Sequence, residues 1–494
     1  MKRIKSIFRA ALILPVIFTM SNCYAFGSKS KETSDNQKIS SYQYMKKINS
    51  VFDFVEENYV DELDPKILYE GALKGMLEAI GDPHTVYLDS DYMRDLNDTT
   101  AGAFGGVGLT ITKAVTSTPE KPAYVEVSTP LEDSPGAKAG IQAGDLIIAV
   151  EGKPTPDMTM NEVLAVLRGE VGTPVTITIL RGTSMRFDVT LVRALIEVPT
   201  VKHALIEQNS KKIGYVRLIQ FTPETAHRMQ DALDEFEKTG YDCLILDLRD
   251  NPGGLITSAV DVADKFIDEG PVVTTKSRLA MENQQFTASA AKTTVKKNTP
   301  CVVLINRGSA SASEIVSGAL KDYHLAYLVG ERTYGKGSVQ QVITLSETDG
   351  IKITMARYYT PSDVNIDKIG IPPDYEVKNL EEFTEEEEKT YVKLMEDNVI
   401  EDYVSQNPGM NENAISRAAE KLSETYKLDE RILRKLLRNQ VLRNQTAPVY
   451  DLDYDLQLNE AIKIVTSENY SELLQNTKTL KQLQDEVVSE TQEE

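Results

Sequence analysis

Histidine is scarce in this chain, with 4 in 494 residues, and cysteine is scarcer, with 3. Neither an HExxH nor a CxxC pair occurs, so the common metal-ligand spacings are missing; no metal and no other cofactor are expected. None of the histidines has the setting of a triad base. His84 lies in the turn Gly81-Asp82-Pro83-His84, His203 and His227 lie in other segments, and His324 ends a helical stretch. Basic charge is also short: 54 Lys and Arg face 75 Asp and Glu, a formal net charge of -21. That balance argues against nucleic acid as a partner and against adsorption to anionic membranes. The apolar stretch Ala10–Met20 is too short to span a bilayer, and behind Lys2, Arg3, Lys5 and Arg9 it reads as an export signal within Met1–Ala25. Two outcomes stand there, cleavage after Ala25 or lipidation of Cys23 in the degenerate lipobox Met20–Cys23. The expected location is periplasmic or cell-envelope associated, with membrane attachment only through the N-terminus. Cys243 and Cys301 each fall inside an apolar strand and read as core thiols, since adjacent in-sheet positions rarely give disulfide geometry.

What the chain does have is concentrated in Asn306–Gln340. The run Pro300–Ile305 is short, β-branched and bounded by turn residues, which predicts a buried strand. The turn Asn306-Arg307-Gly308 follows, then helical spacing from Ser311 to Asp322, then a second apolar strand, Leu325–Val329. Strand, helix and parallel strand make a crossover unit, so the turns before the helix and after the second strand share one sheet edge. Ser311 is placed at a strand-to-helix corner, where the amide of Ala312 points at any oxyanion. A serine hydroxyl needs a base. With no histidine in position, the candidate is Lys336, in Tyr334-Gly335-Lys336-Gly337-Ser338.

GSASASEI followed after one helix and one strand by YGKGSVQ resembles the carboxyl-terminal processing peptidases, or tail-specific proteases. That family uses a Ser-Lys dyad on a crotonase-like core. The resemblance implies Ser311 as nucleophile, Lys336 as general base and Gln340 as the residue that orients the lysine. The family spacing of 25 residues selects Ser311 over Ser309 and Ser313. The resemblance runs from about Tyr44 to about Glu376, with a short echo at Leu456–Val465.

The expected fold is a multidomain α/β chain. Residues 26–43 read as a polar linker and 44–100 as a helical region, with Ile48, Val51, Phe52 and Val55 on one face and Ile67, Leu68, Ala72, Leu73, Met76 and Leu77 on the next. Ala79–Leu88 resembles the family's turn before its PDZ domain, with His84 structural. Residues 101–197 resemble a PDZ domain, with Gly106-Val107-Gly108-Leu109 as the loop that binds a substrate's terminal carboxylate; glycines let consecutive amides converge on an anion. Thr159–Arg168 is the helix that flanks the peptide, and Arg168 matches a position that links the occupied PDZ domain to the core in relatives, against the plainer reading of a solvated helix-end arginine.

The core spans 198–376. It contains a second corner, Leu248-Arg-Asp-Asn-Pro-Gly-Gly254, after the strand Tyr241–Asp247. There the resemblance implies Gly253 as second oxyanion donor, with Gly254 as the alternative, and Asp247, Arg249 and Asp250 read as an ion-pair corner. Residues 377–494 form a helical region whose Asn411–Gln445 part carries a basic amphipathic helix, read either as an oligomer or adaptor interface or as a packing stripe. The implied activity is exported endoproteolysis near the carboxyl termini of protein substrates. The alternatives are an inactive PDZ scaffold and a crotonase-type acyl-CoA enzyme.

Overall fold

A computed structural model describes residues 41–90, 92–94, 96, 102–114, 117–118, 122–131, 133–197, 199–378, 384–442 and 448–493. The export signal, Cys23 and most of the linker lie outside them. The chain divides into Met1–Ala72 and Leu73–Glu494. The first unit contributes helix Ser41–Asn58, on which Ile48 and Val51 are exposed, and the start of helix Pro65–Glu78.

The second unit is built on a six-stranded sheet. Its order is Val201–Gln208, Lys211–Leu218, Cys243–Asp247, Cys301–Ile305, Tyr327–Gly330 and Tyr375–Glu376, antiparallel in the first pair and parallel thereafter. Unbroken β-branched and aliphatic runs fit strands covered on both faces. Every residue of Cys243–Asp247 and of Cys301–Ile305 is buried. One face receives helices Thr225–Thr239, Ile256–Ala263 and Ala312–Asp322 through Met229, Leu233, Phe236, Val262, Ile315 and Val316. The other receives Leu456–Val465, whose Leu458, Ala461, Ile462 and Val465 pack on Tyr215, Ile245, Val302 and Val329. The echo at Leu456–Val465 is thus part of the core, so 377–494 is not one separate helical region. Tyr470 ties the following segment down by accepting from Cys301 N at 3.0 Å and donating to Cys301 O at 2.5 Å. Cys243 and Cys301 are buried free thiols on adjacent strands.

The expected crossover is present: Cys301–Ile305, helix Ala312–Asp322 and Tyr327–Gly330, the strands pairing in parallel with Val302 opposite Tyr327. A second sheet was not anticipated. Gly350–Tyr359 pairs with Ser338–Thr344, with Glu269–Ser277 and with Val86–Leu88. Val86–Leu88 falls in the segment Ala79–Leu88, read as a turn within the N-terminal helical region; long-range pairing, Val86 opposite Lys352, makes it a strand.

The PDZ-like domain has the antiparallel order Leu109–Lys113, Val125–Pro130, Leu146–Val150, Pro174–Arg181, Met185–Val192, with helix Met160–Leu167 closing its core through Val163 and Leu167. A ribbon of Ala103–Gly106 and Ala194–Glu197 leads to and from it. At the ribbon's foot Arg228 of the core ion-pairs with Glu197, and a Cβ on Gly102 would sit 2.8 Å from Thr222.

The basic amphipathic helix expected within Asn411–Gln445 is Glu430–Val441, and another helix, Glu412–Tyr426, precedes it in the same stretch. Lys427 turns left-handed at φ 54°, and Asp429 then caps Glu430–Val441 by accepting from Arg431 N at 2.7 Å. With Glu385–Glu396 and Val399–Gln406 they bury Leu394, Ile400, Ile415, Leu422, Leu433 and Leu437 in a cluster of their own.

Candidate active site

Two strand-turn-helix corners meet at the carboxyl edge of adjacent parallel strands. In the first, Ser311 takes φ 54° and ψ -111°, a conformation that costs a serine about 1–3 kcal/mol unless its surroundings impose it. They do. Ala310 N donates to Asn251 O at 3.0 Å, Ser313 Oγ donates to the same carbonyl at 2.9 Å, and Tyr358 Oη donates to Ser311 O at 3.3 Å. The three serines of the motif are sorted by these contacts. Ser309 Oγ donates to Leu248 O at 2.8 Å, and both Ser309 and Ser313 are fully buried with their hydroxyls engaged by main chain. Ser311 is only half-buried, and its Oγ donates no hydrogen bond among the described residues.

In the second corner, Gly253 adopts φ 101° directly against the serine. A Cβ there would lie 2.7 Å from Ala310 O, 2.8 Å from Ser311 Cβ and 3.0 Å from Ala312 N. Only glycine allows this approach. The Gly253 N–H, however, donates to Asn251 Oδ1 at 2.9 Å. Ala312 is the first residue of its helix, so its amide has no acceptor within that helix. Behind this corner Arg249 is buried between Asp247, at 2.6 Å, and Asp455, at 2.6 Å, and reaches Gln457 at 3.1 Å. Tyr215 Oη completes the network on Asp247 at 2.7 Å. Asp247 and Arg249 are thus a structural ion pair, as expected, while Asp250 instead lies 3.8 Å from Arg217 and accepts from Asn306 Nδ2 at 2.8 Å.

Lys336 follows the parallel strand on the loop Tyr334–Gly337. Burial pushes its pKa down and the like charge of Lys352 pushes the same way, against the pull of Glu314 and Asp82. A desolvated lysine biased toward the neutral amine has the chemistry of a base. No hydrogen bond joins Ser311 Oγ to the Lys336 amine among the described residues.

Gln340 is not on the lysine. Its amide donates to Ser338 Oγ at 2.9 Å and to Thr354 Oγ1 at 3.1 Å, because a bulge between Val339 and Gln340 sets it directly opposite Thr354. Thr354 Oγ1 donates in turn to Asp82 Oδ2 at 2.6 Å, in the Gly81–His84 turn. That turn borders a cavity of about 590 Å³ which also contacts Tyr334, Gly335, Ser338 and Ile353. His84 lines it, its pKa lowered by burial and by the charge of Lys336.

One site residue escaped the sequence reading. Glu314, fully buried, accepts at Oε2 from Ser311 N (2.8 Å) and Lys336 N (2.9 Å), and at Oε1 from Gly335 N (2.7 Å) and Thr333 Oγ1 (2.5 Å). Its signal was present, as Ser311-Ala-Ser-Glu314 has the S-x-x-E spacing of a helix cap.

In the PDZ-like domain, Gly108 turns left-handed at φ 69°, and its carbonyl accepts from Leu131 N at 2.9 Å and from Ser134 Oγ at 3.0 Å. Gly106 and Val107 precede it, and Leu109 opens an edge strand that pairs on one side only among the described residues. Arg168 caps its helix and lies over the Phe104 ring at 4.7 Å, on the ribbon that leads to the core.

Comparison with known proteins identifies the family. Residues 212–377 match the family model "Peptidase family S41", residues 126–181 match "PDZ domain", and residues 17–92 match "Activating protease CtpB N-terminal domain". The Carboxy-terminal-processing protease of Bartonella bacilliformis is 38% identical over 378 residues, covering 74% of this chain and 83% of that protein. This chain belongs to the carboxy-terminal processing proteases. Carboxy-terminal processing protease CtpA of Bacillus subtilis is 33% identical, covering 76% of this protease and 77% of its own length. A solved structure, the photosystem II D1 C-terminal processing protease, is 31% identical with a TM-score of 0.41, over 69% of this chain and 94% of that one. The protease is therefore a serine-type peptidase with a PDZ domain.

Proposed function

We propose that this protease is exported to the cell envelope, holds the carboxyl-terminal tail of protein substrates in its PDZ domain and cleaves them through a Ser311–Lys336 dyad. The observation that carries the reading is the sorting of the serines. Ser309 and Ser313 are built into main-chain contacts, while Ser311 stands at a strained corner whose amide shares one carboxylate oxygen with the amide of Lys336. Neutral Lys336 takes the Ser311 proton, Oγ attacks the scissile carbonyl, and the amides of Ala312 and Gly253 receive the oxyanion. For that last role the Gly253 N–H exchanges Asn251 Oδ1 for the substrate oxygen. The lysine then protonates the leaving amine, and a water activated by the same lysine releases the acyl group.

The edge strand opening at Leu109 suits addition of an extended tail, with the Gly106–Leu109 loop meeting its carboxylate. Arg168, on the ribbon side of the domain, would couple an occupied PDZ domain to the core. Gln340 would reach Lys336 by leaving Thr354 as the site becomes active. The Leu433 and Leu437 stripe is packed inside the helical insert 384–442, so an oligomer or adaptor would meet another of its faces.

A test pairs a protein substrate with its carboxyl-amidated form, using Ser311→Ala as control. The free acid should be cut and the amide bound and cut far more weakly, with Ser311→Ala inert on both. Equal cleavage of acid and amide would remove the carboxylate-reading role of the loop. Cleavage by Ser311→Ala would remove the nucleophile, and no cleavage by any form would favour the scaffold alternative.

A further inference from the structure

We propose that Glu314 is the positioning residue of the dyad: its buried carboxylate clamps the main chain of the nucleophile to the main chain of the base. The inference rests on the reading of Ser311 and Lys336 above and names a residue which that mechanism does not use. An ordinary helix-capping glutamate is exposed and reaches one amide. This one is fully buried and receives four donors at 2.5 to 2.9 Å from two separate segments, the Ser311 corner and Thr333–Lys336. Those segments are separated by a helix and a strand, and apart from Glu314 they meet through Tyr334 N, which donates to Ser309 O at 3.0 Å. One oxygen, Oε2, takes both Ser311 N and Lys336 N. The other, Oε1, takes Thr333 Oγ1, which itself accepts from Ile371 N at 2.7 Å, so the lysine loop is pinned from a third segment.

All four partners present hydrogens, which calls for the ionised carboxylate; a proton on either oxygen would face another donor. Burial raises the Glu314 pKa, and the hydrogen bonds from Thr333, Lys336, Gly335 and Ser311 oppose that. The groups that face the pair are Lys352 from Gly350–Tyr359, Asp82 and His84 from the turn before the PDZ domain, and the buried Tyr358 hydroxyl, itself near Asp367. Among them Glu314 and Asp82 favour charged Lys336, and Lys352 favours the neutral form. Glu314 thus fixes geometry at some cost to the neutral fraction of Lys336, which the desolvation of Lys336 offsets.

The experiment measures kcat, KM and the pH profile of kcat/KM for Glu314→Gln beside the wild type, with thermal unfolding of each. Glutamine keeps the size but turns an NH2 toward two of the four donors. A displacement of about 1 Å at a reacting pair costs on the order of 100-fold, so kcat should fall by about that factor with KM little changed. Loss of the negative charge should also move the acid limb of the profile to lower pH, because neutral Lys336 is then favoured. A merely structural glutamate would lower kcat only as far as folding is lost, with the limb unmoved; that result, or wild-type kinetics, overturns the proposal. If Glu314→Gln does not fold, Thr333→Ala decides: it should lose about tenfold in kcat by removing one charge-assisted hydrogen bond, with recovery in Thr333→Ser, and wild-type activity in Thr333→Ala overturns the clamp. Ser311→Ala and Lys336→Ala run alongside. Their retained activity would sink the dyad itself, whereas their inactivity beside an unaffected Glu314→Gln would sink the clamp alone.

Discussion

The two corners of the active site are the same motif, strand, turn and helix on neighbouring parallel strands, yet they are secured differently. The serine corner is closed locally, since Ser311 and the lysine loop share one carboxylate from three residues downstream. The glycine corner is held from far away in sequence. Arg249 runs to Asp455 and Gln457, in the segment that packs the sheet's opposite face, and Asn251 Nδ2 reaches Leu218 O at 2.9 Å. The difference teaches that the nucleophile's geometry is set by the crossover unit together with the Asn251 carbonyl and the Tyr358 hydroxyl that it leans on, whereas the oxyanion turn depends on the C-terminal segment being docked.

The largest effect that would break this comparison comes from Gly253→Ala, where the corners touch. A methyl group would meet Ala310 O at 2.7 Å and Ser311 Cβ at 2.8 Å, at a φ of 101° that alanine resists. Loss of an oxyanion donor alone costs about 10²–10³ in kcat, so peptide cleavage should fall by at least that, with the protein still folded by circular dichroism. Activity within tenfold of wild type would separate the two corners functionally.

Asp455→Ala tests the distant anchor. Removing charge-assisted hydrogen bonds to a buried arginine costs about 1–3 kcal/mol, and urea unfolding should register it together with a drop in kcat. An unchanged midpoint would mean that Arg249 is satisfied by Asp247 alone. The smallest effect is electrostatic. Lys352 is a like charge that holds the Lys336 pKa down, so Lys352→Ala should raise that pKa. The base is then protonated over a wider range, and the acid limb of kcat/KM should move to higher pH, opposite to the shift expected for Glu314→Gln. An unmoved limb would show that Lys352 does not face the base.

Much of this was legible because it is local. The strand Cys301–Ile305, the helix after Ser311, the return strand and the small-residue corners each follow from a short run of residues, and the crossover rule joins them without tertiary knowledge. The rest depends on partners distant in sequence. Val86–Leu88 becomes a strand only against Gly350–Tyr359, Gln340 meets Thr354 only because of a bulge, and Asp455 acquires its role only by reaching Arg249. Glu314 shows the limit of motif reading: S-x-x-E spells an ordinary cap, and only burial against the lysine loop turns it into a four-donor acceptor.

The central claim, a neutral amine at Lys336 as base for Ser311, is tested most directly by removing and then restoring that amine. Lys336→Cys should be inactive, and alkylation with 2-bromoethylamine, which rebuilds an amine of nearly the same length through a thioether, should restore cleavage of a tail-bearing peptide. Because the sulfur withdraws electron density, the restored enzyme's acid limb should lie at lower pH than the wild type's. Full activity in unalkylated Lys336→Cys, or no recovery in a folded, fully alkylated protein, would contradict the account.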